Sequence, residues 1–336
     1  MNPTQATSAA RAAGARWARI HMLEYVLWGA AWIAAIFLPR GQLIFNEIAI
    51  LGLFALSLDL ILGYAGIVSL GHGAFLGMGA YSAALLAKYF GIDPILGLVG
   101  AAVITAALGF VSSFLVLRGS DLTRLMVTLG ITLMLLELAN KLDWLTGGAD
   151  GLQGVVIPPI LGRFDFDLAG KTAALYSMSV LTIAFFVARR IVRSPFGMSL
   201  QAIRENRLRA VAMGIPVNAR LVAIYTIAGA FAGIAGGLLA QTTGFASLDG
   251  FEFHRSADVL LVLVIGGTGY LYGGLIGAAV FTLMQDALAS ATPQYWQFWI
   301  GMILVAIVLV SRERIATFAE RVSSYLGALV SRGNVR

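Results

Sequence analysis

The chain has 336 residues, of which 59% are hydrophobic and only 12% are charged, and its net charge is +6. Soluble globular domains are about half apolar and about a quarter charged, so this composition excludes a water-soluble globule and predicts an all-α, polytopic membrane protein. The absence of cysteine excludes disulfides and thiolate metal sites, and the three histidines (His21, His72 and His254) lie too far apart for metal-ligand spacing.

Apolar windows of about 20 residues predict ten membrane-spanning helices. Several windows are short, so a re-entrant segment would change the number to nine or eleven. The predicted organisation is a cytoplasmic tail over 1–22, a transmembrane domain over 23–311 and a second cytoplasmic tail over 312–336. The predicted spans cover residues 23–38, 43–62, 72–90, 95–117, 122–139, 173–189, 218–240, 256–271, 274–290 and 295–311.

The distribution of basic residues indicates the orientation of these spans. Cytoplasmic loops of membrane proteins are enriched in Lys and Arg. With the N-terminus inside, seventeen of the 23 Lys and Arg residues fall on the cytoplasmic side. We therefore expect both termini to be cytoplasmic. Because this rule already accounts for the excess of arginine, no nucleic-acid partner is expected.

The second predicted span leads into a segment that is rich in glycine. Glycines at this density either break a helix, so that freed backbone groups must be buried in protein or face water, or let neighbouring helices approach closely, as Gly73 and Gly77 would. Both uses fit the wall of a transport pathway. The residues assigned to this pathway are Asp59, Gly63, Tyr64, Gly66, Ser69, Gly71 and His72.

A second glycine cluster lies near residue 270 and matches the first at one constant offset. The matching pairs are Gly63 with Gly266, Gly66 with Gly269, and Gly71 with Gly274. This pattern predicts an internal two-fold repeat with broken or re-entrant segments in matching places, which is a pointer to a transport site. Gly266 and Gly269 therefore join the predicted pathway. In the seventh span, Gly229, Gly233 and Gly237 share one face and predict a close helix contact.

Asp59 is an acidic residue inside an apolar run, with no basic neighbour in sequence. Charges inside a membrane are costly, so such residues are functional candidates by default. Asp59 would serve transport or gating, or it would bind a proton or sodium ion if the chain were a gradient-driven secondary transporter. Its position near the helix end leaves a third alternative, in which the carboxylate reaches water or caps broken backbone.

Two patterns that are typical of catalysis are weak here. Ser69 and His72 have the spacing of a nucleophile and a base in an intramembrane hydrolase, but no acid is placed to orient the imidazole. Gly170-Lys171-Thr172 is similar to the end of a phosphate loop, but Asp165 stands where a glycine is needed and no strand precedes it. We therefore expect a non-catalytic chain that binds no cofactor.

Two long segments connect the predicted spans. The outer one, over 140–172, contains glycines, Pro158-Pro159 and alternating Phe and Asp, which predict an ordered loop or short helix that covers a pore mouth, receives a partner or merely connects spans. The inner one, over 190–217, is strongly basic, and from Ser199 to Gly214 it predicts one amphipathic helix. That helix would lie on the lipid surface or occupy a groove on a soluble partner.

Six motifs occur together in order. They are Gly63-Tyr64-Ala65-Gly66, Ser69 to Phe75, Gly77-x-Gly79-Ala80-Tyr81, Thr146 to Leu152, Ser194-Pro195-Phe196-Gly197, and Ala202 to Asn206 followed by Ala210-x-x-x-Gly214. In order and spacing they resemble the permease subunits of branched-chain amino acid ABC importers, of the LivM type. The similarity covers about 45–310.

This resemblance implies a subunit in a bacterial inner membrane that moves branched-chain or related amino acids inward by alternating access. Its partners would be a LivH-like permease subunit, two cytoplasmic ABC ATPases that use ATP, an extracytoplasmic substrate-binding protein and the lipid bilayer. The segment Ser199 to Gly214 would be the coupling helix, seated in an ATPase groove. The implied ATPase-coupling residues are Ala202, Arg204, Glu205, Asn206, Ala210 and Gly214.

The sequence departs from the pattern at two points. Glu205 lies nine residues before Gly214, whereas the general ABC signature has six, and the longer spacing is that of the branched-chain variant. Asp59 and Ile67 stand where relatives often have Asn and Gln. Because both border the glycine-rich segment, the substrate need not be leucine-like, and urea, amides or other small polar solutes are the alternative.

Overall fold

A computed structural model describes residues 28–29, 31–37, 41–167 and 170–309 of this chain. Within these ranges the secondary structure is helical, and the only β pairs are two isolated bridges, Leu152 with Ala246 and Ile160 with Phe164. The predicted all-α class is thus confirmed. The predicted tails over 1–22 and 312–336, and part of the predicted first span, lie outside the described residues, although residues 31–37 are helical.

The helices follow the apolar windows closely. Beyond residue 41 they are α1 (Gln42–Leu62), α2 (Gly73–Phe90), α3 (Pro94–Val116), α4 (Asp121–Lys141), α5 (Asp143–Thr146), α6 (Lys171–Val192), α7 (Pro195–Glu205), α8 (Arg207–Ala212), α9 (Val217–Thr243), α10 (Phe253–Gly266), α11 (Leu271–Ala291) and α12 (Trp296–Leu309). Two 3₁₀ turns lie at Gly148–Asp150 and Leu248–Phe251.

Six of the described helices, α1, α3, α4, α6, α9 and α11, are long and apolar enough to cross a membrane. α10 has 14 residues. At 1.5 Å per residue such a helix measures about 21 Å, which is less than the hydrocarbon core of about 30 Å. Because α10 is shorter than a full span and the first and last predicted windows extend beyond the described residues, the predicted number of ten spans is not confirmed.

α9 packs against α1, α2 and α3. A β-carbon on Gly233 would lie 2.0 Å from Oγ1 of Thr105 in α3, and one on Gly237 would lie 2.8 Å from Leu98 of the same helix. Side chains at these positions would push the helices apart. The close helix contact predicted from the glycine spacing is thus confirmed, and α3 is the partner.

The outer connecting segment is ordered, as predicted, because its backbone is tied to three helix ends. The amide of Leu152 donates to the Ala246 carbonyl at 2.7 Å, just beyond α9. Lys88 at the end of α2 donates to the Gln153 carbonyl at 2.9 Å. At the start of α3, Asp93 Oδ2 accepts from the Leu161 amide at 2.7 Å. These bonds fix the segment over the ends of α2, α3 and α9.

The chain divides inside α11, between Ala279 and Val280, into two compact units. All contacts of the candidate site lie in the first unit. The described part of the second unit consists of the remainder of α11 and of α12.

Candidate functional site

The first glycine-rich segment, residues 63–72, is a break between α1 and α2, which we call the first break. The amide of Gly63 closes the last turn of α1 by donating to the Asp59 carbonyl at 2.7 Å. A β-carbon on Gly63 would lie 2.1 Å from Oδ1 of Asp59, and Gly66 has a φ of +72°. Side chains are excluded or strained at both positions. The glycines therefore end the helix here, which is one of the two uses predicted for them.

Backbone groups freed by the first break are satisfied by polar side chains from other helices. The Leu70 amide donates to Oγ1 of Thr128 at 3.3 Å, and Oγ1 of Thr132 donates to the Gly71 carbonyl at 3.2 Å. The Gly73 amide donates to Oγ of Ser256 at 2.8 Å. Non-helical backbone at membrane depth requires such partners, because lipid offers none. α4 and α10 thus hold the first break in place.

His72 is fully buried at the end of the first break. Its Nε2 lies 2.8 Å from Oγ of Ser57, and its ring stacks on Phe54 with centroids 5.3 Å apart. The weak catalytic pattern of Ser69 and His72 does not correspond to a hydrogen bond between them, since His72 bonds to Ser57 instead. Residues 67–70 are not helical, so a spacing of three does not bring the two side chains together. The geometry needed for an intramembrane hydrolase is therefore not formed.

The second glycine cluster forms a second break, residues 267–270, between α10 and α11. Gly269 has a φ of +80°, and its amide donates to Oδ1 of Asp59 at 2.7 Å. A β-carbon on Gly63 would lie only 2.5 Å from this amide, so the two breaks touch. Asp59 thus caps broken backbone, which was one of the alternatives left open by the sequence.

Contact between the breaks does not establish the predicted two-fold repeat. α1, which precedes the first break, has 21 residues, whereas α10, which precedes the second, has 14. Only the glycine positions correspond, and the repeat is not confirmed.

Arg204, the penultimate residue of α7, reaches both breaks. Its Nη1 donates to the Gly63 carbonyl. The Cγ atom of the same side chain lies 3.0 Å from the position that a β-carbon on Gly66 would occupy, and Nη1 lies 3.1 Å from that of Gly269. The guanidinium charge also attracts the Asp59 carboxylate. A single side chain from the segment between α6 and α9 therefore joins the two breaks.

Local sequence explains why α7 starts where it does. Oγ of Ser194 accepts from the Gly197 amide at 3.4 Å as an N-cap, and Pro195 occupies the first helical turn, where no backbone donor is needed. The guanidinium of Arg220 in α9 lies 5.2 Å from the centre of the Phe196 ring, which adds a cation–π contact. α7 is thus fixed to α9 at its start and to the breaks at its end.

The prediction of one helix from Ser199 to Gly214 is wrong, because Asn206 divides the segment into α7 and α8. Asn206 ends α7, and its Oδ1 accepts from the Arg209 amide at 2.9 Å, which starts α8. Asparagine is among the best N-cap residues, so it favours a new helix start over continuation. Gly214 follows α8, and the Ile215 amide closes the turn on the Ala210 carbonyl at 3.1 Å.

The residues assigned to ATPase coupling differ in exposure. Ala210 is fully buried and Ala202 is half-buried. Glu205, Asn206 and Gly214 are exposed. Neighbouring apolar side chains are exposed as well, with 84% of Leu208 accessible. α7 and α8 therefore present a mixed basic and apolar surface, a composition that suits a protein partner.

The residues assigned to a substrate pathway differ in accessibility. Tyr64 and Gly269 border a cavity of about 250 Å³. Asp59, Ser69 and His72 have no accessible surface. Gly71 packs on the α4 backbone, since its β-carbon would lie 2.1 Å from the Thr128 carbonyl. The assignment of these residues to a substrate pathway stays a prediction.

Sequence reasoning missed the polar residues that support the first break. Thr128 and Thr132 are four residues apart in an apolar span, so they share one helix face. Ser57 is an isolated hydroxyl in an apolar segment and Ser256 lies in a polar one, and no sequence signal reveals their partners. The threonine spacing is the one signal that would have indicated a supporting role.

One surface cluster has metal-binding residue types. Ligand atoms of Asp249, Glu252 and His254 lie within 4.8 Å of one another. Both imidazole nitrogens already face carboxylates, at 3.2 Å from Asp249 and 3.0 Å from Glu252, and Arg255 pairs with Asp249. Internal pairing accounts for this cluster, so it is not assigned to a metal.

Comparison with known proteins identifies the family. Residues 42–308 match the profile of the family described as "Branched-chain amino acid transport system / permease component". The chain belongs to this family. This permease family and the six apolar helices make it a multi-pass membrane protein.

Individual relatives of this permease are moderately similar. It is 29% identical over 280 residues to the high-affinity branched-chain amino acid transport system permease protein LivM of Salmonella typhimurium, which covers 76% of this chain and 65% of that protein. LivM of Escherichia coli is 28% identical over 284 residues, with the same shares. The probable branched-chain amino acid transport permease protein LivH of Methanocaldococcus jannaschii is 26% identical over 290 residues, 83% of this chain and 90% of that one.

The chain thus spans 65% of the length of the two LivM relatives. No solved structure matches it.

Proposed function

We propose that this permease is a transmembrane subunit of an ABC importer that moves branched-chain or related amino acids inward by alternating access. Separate ATPase subunits use the ATP, and the chain itself is non-catalytic and binds no cofactor. Family membership supports the transporter class. The contact of Arg204 with the Gly63 carbonyl carries the coupling part of the proposal, because it connects an exposed segment to the broken helices.

The proposed mechanism uses α7 and α8 as the coupling element, in place of one continuous coupling helix. Their exposed surface would occupy a groove on an ATPase. When the ATPases close, α7 would move as a rigid body and shift the Gly63 carbonyl and Gly269 through Arg204. α6 and α9, which flank the segment, would tilt and change the side to which the pathway opens, so that ATP binding shifts the population between two states.

The proposed assembly follows from this mechanism. It contains a LivH-like permease subunit, two cytoplasmic ABC ATPases and an extracytoplasmic substrate-binding protein in a bacterial inner membrane. Both termini would lie in the cytoplasm, on the side of α7 and α8. The names of the LivM and LivH relatives support a transport system with two kinds of permease.

The first test is uptake into proteoliposomes that contain this chain with its genomic-neighbour permease, ATPases and binding protein. We expect labelled leucine to enter only when ATP is present. Uptake of labelled urea instead of leucine would keep the ATP-driven class and replace the substrate. Uptake without any ATPase would contradict the proposal.

A pair of neighbouring substitutions tests the coupling role of α7. Glu205→Arg reverses an exposed charge on the proposed docking surface, so we expect the ATPase subunits to be lost on co-purification. Arg204→Met keeps the length of the side chain but removes its bond to Gly63. We expect the complex and its ATP hydrolysis to remain, while leucine uptake falls at least tenfold.

The matched control is Arg163→Met, on the outer segment, which should change neither property. Arg204→Lys should restore part of the uptake, because the ammonium also donates to a carbonyl. Normal uptake by Arg204→Met would show that the Arg204 contact does not transmit movement.

A gradient-driven carrier remains the second candidate because of one observation on Asp59. Its Oδ2 is buried and has no hydrogen-bond partner among the described residues. A carboxylate oxygen in that position suits a proton or sodium ion. An uncoupler that abolishes uptake while ATP stays high would favour this alternative.

A further inference from the structure

A cavity of about 570 Å³ lies where α3 ends and α9 begins, beside α8. Its polar lining includes Arg118, which follows α3, Arg207 at the start of α8, and Asn218 in the first turn of α9. Phe114 and Val222 form an apolar wall. The helix ends place this cavity at one surface of the membrane, on the side that carries α7 and α8.

The charge in this cavity is unbalanced. Two guanidinium groups line it, and no carboxylate does. Nη2 of Arg207 donates to Oδ1 of Asn218 at 3.0 Å, which orients that guanidinium and leaves its other donors available. A guanidinium group matches the oxygen geometry of phosphate, to which it donates two parallel bonds. The polar half of the cavity is therefore suited to a phosphate group.

The apolar half continues along the outer face of α3. Phe114 is 48% exposed, and Val111 and Leu115, one turn or less away, are 61% and 60% exposed. α3 is long and apolar enough to cross a membrane, so we expect this exposed apolar face to meet lipid. A phosphate-binding cavity that opens onto a lipid-facing apolar surface fits an amphiphile better than a free ion or a nucleotide.

We propose that this cavity binds the headgroup of an anionic phospholipid, whose acyl chains lie along the exposed face of α3. The proposal depends on the membrane location of the chain and not on its transport activity. Since Arg207 belongs to α8, a bound lipid would join α8 to the ends of α3 and α9. The lipid would therefore stabilise the segment that carries Arg204.

The test is a lipid titration of the full-length chain in detergent, followed by native mass spectrometry. The probes are phosphatidylglycerol, phosphatidylcholine and inorganic phosphate. We expect phosphatidylglycerol to bind more tightly than phosphatidylcholine. At about 1 kcal/mol per basic residue, Arg118→Gln and Arg207→Gln should each weaken phosphatidylglycerol about fivefold, and together about 25-fold.

Two further variants separate binding from folding. The double change of Arg118 and Arg207 to lysine keeps both charges but not the forked donors, so its affinity for phosphatidylglycerol should lie between that of the parent chain and that of the glutamine double variant. Arg163→Gln, on the segment bonded to the start of α3, should leave phosphatidylglycerol binding unchanged. If the glutamine variants fold poorly, the lysine double variant still tests the site, because weaker binding of phosphatidylglycerol with unchanged binding of phosphatidylcholine supports the contact, and unchanged binding of both contradicts it.

Three outcomes would overturn the proposal. Equal affinity for phosphatidylglycerol and phosphatidylcholine would remove the anionic selectivity. Competition by inorganic phosphate at matching concentrations would identify a simple anion site. Displacement of phosphatidylglycerol when the ATPase subunits assemble would identify a partner's acidic side chain as the occupant. None of these outcomes bears on leucine uptake, so failure here is distinct from failure of the transport proposal.

Discussion

The two breaks that meet at Asp59 are held in different ways. The first, over 63–72, is bonded to side chains of α4 and α10, and His72 within it has no accessible surface. The second, over 267–270, contacts Asp59 and Arg204, and Tyr270 within it is 71% exposed. Because more independent contacts fix the first break, we infer that movement transmitted through Arg204 displaces the second break further than the first.

The largest expected effect comes from adding a side chain at Gly71, where the first break packs on the backbone of α4. In Gly71→Ala the new β-carbon would lie 2.1 Å from the Thr128 carbonyl, which belongs to helix backbone and cannot rotate away. We expect a loss of more than about 3 kcal/mol in the free energy of unfolding and little folded protein. Gly130→Ala in α4 is the control, since nothing lies within 4 Å of its β position.

In the control Gly130→Ala, the free energy of unfolding should rise by up to about 1 kcal/mol, as expected when alanine replaces glycine inside a helix. Yield and thermal unfolding in detergent give the comparison. If Gly71→Ala unfolds at the same temperature as Gly130→Ala, the first break is not rigidly packed.

The next effect comes from separating the two breaks at Asp59. Asp59→Leu removes the acceptor of the Gly269 amide and the partner charge of Arg204, so we expect a loss of about 2–4 kcal/mol. Asp59→Asn keeps an oxygen acceptor and should lose about 1 kcal/mol. Proteolysis near Tyr270 should accelerate in the leucine variant before global unfolding.

The same pair of variants separates the two candidate functions. An ABC permease should retain most of its uptake with Asn at position 59, because the bond to Gly269 persists. Complete loss of uptake in Asp59→Asn, with normal unfolding temperature and ATP hydrolysis, would indicate an ion-binding carboxylate instead.

The smallest effect concerns a single support of the first break. Thr132→Val removes the hydroxyl that is shared between the Thr128 carbonyl at 2.9 Å and the Gly71 carbonyl at 3.2 Å. We expect a loss of about 1 kcal/mol, which corresponds to a decrease of about 2 °C in the unfolding temperature. Thr182→Val in α6 removes a bond only to its own helix, at the Met178 carbonyl, and should have less effect. Equal shifts would show that Thr132 does not support the break.

Local features of the fold were predictable because hydropathy and helix signals are local. The window over 43–62 corresponds to α1, Gln42–Leu62, and the window over 95–117 corresponds to α3, Pro94–Val116. The end of α7 was also predictable in principle, since Asn206 is a strong N-cap residue inside a helical pattern. Apolar periodicity alone predicts a continuous helix, and α7 and α8 were therefore predicted as one.

Contacts between distant residues were not predictable in this way. Asp59 and Gly269 are 210 residues apart, and His72 pairs with Ser57 instead of the nearer Ser69. Spacing arguments assume a regular helix, and the first break removes that regularity. The constant glycine offset indicated which segments correspond, but not that they touch. Only the packing of α1 against α10 and the contact of Arg204 with Gly63 determine that.

The Asp59–Gly269 bond also has a consequence for biogenesis. During synthesis α1 enters the membrane with a carboxylate whose partner lies 210 residues downstream. At about 5–20 residues per second, the ribosome needs about 10–40 s to reach it. Throughout that time Asp59, one turn from the end of α1, lacks the backbone donor that it caps in the folded chain. A pause in translation before Gly269 would prolong this interval. We then expect membrane quality control to degrade more of the incomplete chain.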